Sequence, residues 1–231
     1  YDTPPVERPI RKRITAVSIF CVVFGVYLIS FSGLFFPRQE LTGDEPHYLV
    51  ITQSIISDGD INVADDHQNR EYRRFYPGEL ESHHKASLKG PGFRYSRHGF
   101  GLSLLVAPAY FIGDLIAESR YGPDAENKAA REIRIFASRA AVGLMSALLV
   151  MMLFLMVHDL TGSTSLALAA SLLFGFSPPM IYYAGLLYPE IPAALISILV
   201  LRGVVLERKI RPIRCFLMGL GIGLLIWLGV K

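Results

Sequence analysis

The chain has 231 residues, of which 52% are hydrophobic, and a mean hydropathy of +0.38. That is too apolar for an ordinary soluble domain and implies several passages through a bilayer. The net charge is only +3, and the basic residues flank apolar runs instead of forming a stripe, which argues against a nucleic-acid partner.

Residues 1–13 carry Arg8, Arg11, Lys12 and Arg13 and read as a cytoplasmic segment. Residues 14–36 are uncharged and long enough to cross about 30 Å of hydrocarbon at about 1.5 Å per residue. Positive flanks stay inside, so this first span is expected to run outward. The polar stretch that follows is then external. It opens with a helix over 44–57, where Tyr48, Ile51, Ile55 and Ile56 share one side, and the helix is expected to lie on the membrane surface. The "SDGD" of residues 57–60 closes it with a turn, and 65–97 reads as loop.

Residues 99–117 are apolar but hold Pro108 and several glycines. Further spans are expected over about 134–157, 165–183, 191–206 and 213–230. If 99–117 crossed the bilayer, the basic linker 202–214 would fall outside, against the positive-inside tendency. A surface or re-entrant helix over 99–117 places that linker inside, giving five spans and an external loop from 37 to 133. The loop 177–192 then shares the external side with 44–48. Cys21 and Cys215 lie in or beside apolar runs without metal-ligand spacing, so no disulfide is expected. The chain starts at Tyr1 and stops at Lys231 on an apolar run, and reads as a piece of a longer membrane protein.

The sequence "LTGDEPHYLV", residues 41–50, gathers Asp44, Glu45, His47 and Tyr48 where the chain leaves the bilayer. One reading is purely structural: Asp44 as the N-cap of the next helix, accepting from the His47 N–H, with Pro46 in the first turn and Glu45 at the positive helix end. The other is functional. Ionisable groups at a membrane face often do chemistry, and this mix suits base catalysis or a divalent cation.

The stretch 41–63 resembles the first external loop of the GT-C superfamily of integral membrane glycosyltransferases. That superfamily includes the protein O-mannosyltransferases and the lipid A aminoarabinose transferases. Residues 95–113, "YSRHGFGLSLLVAPAYFIG", are similar to its second loop motif, a His or Lys before a short surface helix. "YPEIPAAL", 188–195, falls where the superfamily has another external acid, here Glu190.

The resemblance implies an all-α polytopic membrane protein in the inner (plasma) membrane of a bacterium, with its active site on the external or periplasmic side. It implies inverting transfer of a sugar from a polyprenyl-phosphate donor to an acceptor hydroxyl on a protein, glycolipid or polysaccharide. Asp44 would be the general base, with Glu45 the second choice for that catalytic role. His47, Tyr48, Arg97, His98, Tyr188, Glu190 and Lys231 would bind substrate, with Arg97, His98 and Lys231 facing the lipid phosphate. A divalent metal ion held by Asp44, Glu45, His47 or Glu190 is a further expectation. The alternatives are a non-catalytic transporter of lipid-linked sugars, which would need charge or broken helices at mid-bilayer, and a binding subunit.

Overall fold

A computed structural model of the chain describes residues 9–33, 40–82, 84–85, 93–206 and 211–229. Among them the chain is mostly helical. In order come α1 (Pro9–Phe31), α2 (Glu45–Ser57), α3 (Ala64–Gln68), a single 3-10 turn (Glu71–Arg74), α4 (Gly101–Tyr121), α5 (Lys128–Thr161), α6 (Thr164–Phe176), α7 (Pro178–Tyr183), α8 (Glu190–Leu206) and α9 (Pro212–Leu228). One antiparallel pairing of β1 (His84–Lys85) with β2 (Tyr95–Ser96) closes the loop before α4.

Ile10–Phe31, Gly101–Tyr121 and Lys128–Thr161 are long and apolar enough to cross a membrane. Large apolar side chains such as Ile14 and Val17 on α1 and Phe216 and Trp227 on α9 are exposed. Apolar surface on that scale marks a membrane protein.

The long helix α5 is the spine. Its 34 residues reach about 50 Å, more than the roughly 30 Å of hydrocarbon. Asn127 caps its start, its side chain accepting from the Ala130 N–H at 2.9 Å. Gly162 ends it in the left-handed conformation at φ +69°. At its far end Asp159 accepts from Lys12 of α1 and, at 2.6 Å, from Arg202 of α8. This end of the bundle therefore collects the basic residues at the start of α1 and the end of α8.

Helices α1 and α6 flank the middle of α5. The Tyr27 hydroxyl donates to the Gly175 carbonyl at 2.7 Å, and Val23, Tyr27, Val150 and Phe154 are buried together. The apolar run 165–183, expected as one span, is divided at Ser177, which is extended with ψ 150°. Pro178 and Pro179 are the reason: a residue before proline avoids the helical region, and proline has no N–H to continue the ladder. The chain turns there through α7 and returns to the end of the bundle opposite Asp159.

That opposite end carries the long loop. Helix α4 packs its Leu102, Val106, Tyr110 and Ala117 side inward, against α2 and the first half of α5. A Cβ on Gly113 would lie 2.6 Å from the Ala137 Cβ, so the glycine sets the close approach of α4 to α5. Asp114 of α4 takes Arg74 at 2.8 and 3.0 Å and the fully buried Arg134 of α5 at 2.6 Å. The segment 65–97, expected as loop, includes α3 and the 3-10 turn, elements of five and four residues. Such short pieces span too few turns to leave a periodic apolar pattern.

Candidate functional site

Helix α2 begins beyond a turn at Gly43, whose φ of +56° is a conformation glycine tolerates best. The two acids that follow are placed very differently. Glu45 is fully buried. Its carboxylate accepts the Thr42 N–H at 2.9 Å and the Leu187 N–H at 3.1 Å. Arg139 of α5 donates to its two oxygens at 3.3 and 3.2 Å. Glu45 thus joins the entry to α2, the α7–α8 connection and α5 through one carboxylate.

Asp44 makes no side-chain capping bond. The backbone does that work: its carbonyl accepts from His47 N at 3.0 Å and Tyr48 N at 3.3 Å. The Asp44 side chain is 52% exposed, and Oδ2 lies 3.8 Å from His98 Nδ1, an ion pair when the imidazole is protonated. Asp44 is thus the N-cap residue of α2, but through its backbone carbonyl and without the side-chain bond to the His47 N–H.

His98 lies between two rings of α2. It stacks on His47 with centroids 5.2 Å apart and 15° between planes, and meets Tyr48 at 5.2 Å. The position of α2 beside α4 is fixed by Ser103, whose hydroxyl donates to the Tyr48 carbonyl at 2.8 Å, and by Tyr110, which donates to Gln53 at 2.7 Å.

Tyr188 arrives from the α7–α8 connection. Its hydroxyl donates to the Thr42 carbonyl at 3.3 Å. A Cβ on Gly43 would come within 2.6 Å of that hydroxyl. Burial, then the charge of Glu45, raise the Tyr188 pKa. Burial pushes the Tyr48 hydroxyl up to about 12, helped by the charges of Asp44 and Glu190 and by Tyr188. Tyr48 is thus a hydrogen-bond donor at neutral pH, with Asp44 and Glu190 near enough to act on it.

The fold therefore brings together Asp44, His47, Tyr48, His98, Tyr188 and Glu190 from three separated parts of the chain. Arg97 is exposed beside His98. Lys231 lies outside the described residues, as do 34–36 at the end of the expected first span. Arg139 and Leu187 are site-building residues the sequence reading missed. The Thr42-x-x-Glu45 spacing was the available signal for Glu45, being half of a capping box; nothing local marks Arg139 as its partner.

A cavity of about 660 Å³ has Arg139, but not Glu45, in its wall. Phe31, Tyr76 and Phe136 line it with Glu40, Arg131 and Arg139, and Asp44 is not in its wall. Among the described residues, Asp58, Asp66 and Glu71 each bring one carboxylate oxygen within 4.8 Å of the other two. Burial, then the charges of Glu71, Asp65, Asp58 and Asp60, push the Asp66 carboxyl up to about 8.

The chain was compared with protein-family models, curated proteins and solved structures, and none matches.

Proposed function

We propose that the protein transfers a sugar from a polyprenyl-phosphate donor to an acceptor hydroxyl at the outer face of the membrane, with inversion, and that Asp44 is the general base. The observation that carries this reading is the division of labour in the Asp-Glu pair. Glu45 is buried and held by Thr42, Leu187 and Arg139, while the Asp44 carboxylate is spared from capping and faces solvent beside His98. A base must be fixed in place yet reachable by its substrate, and this arrangement meets both needs.

In this reading Asp44 accepts the proton of the acceptor hydroxyl as its oxygen attacks the anomeric carbon and the bond to the lipid phosphate breaks. A positioned base of this kind contributes about 10²–10⁴-fold. The carboxylates of Asp44 and Glu190 favour the positive charge that develops on an oxocarbenium-like sugar. Tyr188, half-buried beside Gly43, offers an aromatic face to a sugar ring. His98 and Arg97 supply positive charge toward the departing phosphate. The polyprenyl tail lies in the bilayer against the apolar helices, and the GT-C arrangement and a bacterial inner-membrane setting belong to the same proposal.

The test is sugar transfer in membranes containing the full-length protein, with labelled polyprenyl-phosphate sugars supplied as donors. Wild type should transfer, and Asp44→Asn should not, at equal protein level and donor binding. Equal transfer by both proteins removes Asp44 from the chemistry. Carrier binding with movement across the bilayer and no transfer selects a transporter instead.

A further inference from the structure

Away from Asp44, where α2 ends, three carboxylates converge from three elements. Asp58 follows α2, Asp66 lies in α3 and Glu71 opens the 3-10 turn. One oxygen from each lies within 4.8 Å of the other two. Asp66 is only 1% exposed, and neither of its oxygens has a hydrogen-bond partner among the described residues. One Asp65 oxygen is likewise buried without a donor.

Buried polar groups in folded proteins are paired as a rule, and a buried carboxylate without a donor is costly. Here the neighbours make matters worse, because the charges acting on Asp66 come from Glu71, Asp65, Asp58 and Asp60, all of one sign. The nearby arginines are turned elsewhere: Arg73 binds Glu79 at 2.9 Å and Arg74 binds Asp114. Asp60 is occupied locally, accepting from Ser54 Oγ at 3.1 Å and Asn62 N at 2.7 Å.

We propose that Asp58, Asp66 and Glu71 bind a divalent cation, calcium in preference to magnesium. The donors are all hard oxygens. Their spread can be bridged by one ion with metal–oxygen distances of about 2.3–2.6 Å, as calcium has. Magnesium requires about 2.0–2.1 Å in near-octahedral geometry, a poorer match to carboxylates drawn from three short elements. The ion supplies the positive charge that the two Asp66 oxygens lack.

Such an ion ties the end of α2 to the 3-10 turn. The intervening loop also holds the strand that leads to His98: Val63 N–H donates to the Arg94 carbonyl at 3.0 Å, and Arg94 N–H donates to Asn62 Oδ1 at 2.8 Å. The cation would thus brace the loop that carries Arg97 and His98 without touching either.

The experiment is thermal unfolding of the full-length protein in detergent, stripped with chelator and then given calcium or magnesium, with terbium luminescence as a direct binding probe. Calcium at about 100 times its Kd should raise the wild-type Tm by about 5–10 °C, and magnesium by less. Tyr72, next to Glu71, should sensitise bound terbium. Asp66→Asn should lose the calcium shift and yet unfold no lower than metal-free wild type, since the amide removes like-charge repulsion. The exposed Asp58→Asn should weaken binding tenfold or more while folding normally. No calcium shift in wild type at millimolar concentration, or a shift unchanged in both variants, overturns the site; an equal response to magnesium overturns the preference.

Discussion

Glu45 and Arg139 form a buried ion pair, 4% and 0% exposed at the arginine and glutamate side chains, across 94 residues of sequence. The pair also receives the Leu187 N–H, so three parts of the chain meet at one carboxylate. Removing one partner of such a pair leaves an uncompensated buried charge, at a cost of about 3–5 kcal/mol. Glu45→Ala should therefore lower the Tm sharply, whereas Asp44→Ala, a half-exposed change, should scarcely move it. Paired replacement of Glu45 and Arg139 by leucine should recover part of the loss. Thermal unfolding of the four proteins decides this, and equal Tm values for the two single variants would contradict the division of roles.

Gly43 and Tyr188 offer a test of the site that leaves most of the fold alone. Gly43→Ala places a methyl 2.6 Å from the Tyr188 hydroxyl and holds an L residue at φ +56°. The backbone strain costs about 1 kcal/mol. The ring must swing away from the Thr42 carbonyl. Under the proposed function, donor binding and transfer should fall at least tenfold while the Tm drops only a few degrees. Tyr188→Phe keeps the ring and loses the hydroxyl, and should be the milder change.

The contact between α9 and α4 depends on two glycines. A Cβ on Gly99 would meet the Trp227 carbonyl at 2.5 Å, and one on Gly101 would meet the Trp227 backbone at 2.8 Å. Both obstacles are main chain and cannot rotate aside. Gly99→Ala should cost about 1–3 kcal/mol, the usual range for overpacking. Because Phe100 lies 5.3 Å from the Trp227 ring, the protein's single tryptophan reports the displacement. A change in its fluorescence should accompany the loss of stability, and an unchanged spectrum would show that the two helix ends do not meet.

Asp114 anchors the long loop to α4 and α5. It is 8% exposed and neutralises both Arg74 and the fully buried Arg134. Asp114→Asn keeps the shape and removes the charge, leaving Arg134 buried without its carboxylate. A destabilisation of about 3–5 kcal/mol is expected. Limited proteolysis between residues 58 and 98 should accelerate in this variant, and unaltered cleavage would count against Asp114 as the anchor.

The sequence by itself determined the helical class, the membrane setting and the start of α2. Those follow from apolar runs of bilayer length, basic flanks and the Asp44-Glu45-Pro46 helix start, all local features. Through the family resemblance it also marked Asp44, His47, Tyr48, His98, Tyr188 and Glu190 as members of one candidate site. Ser177, ahead of two prolines, breaks the run 165–183 for a local reason that hydropathy alone overlooks. Tertiary structure decided the rest. Glu45 and Asp44 are adjacent and chemically alike, and only the arrival of Arg139 and the Leu187 N–H assigns one to the interior and leaves the other at the surface. Likewise Asp58, Asp66 and Glu71 are ordinary loop acids in the sequence. They become a single cluster because α2, α3 and the 3-10 turn fold onto one another, and charge at close range depends on distance in space, not on distance along the chain.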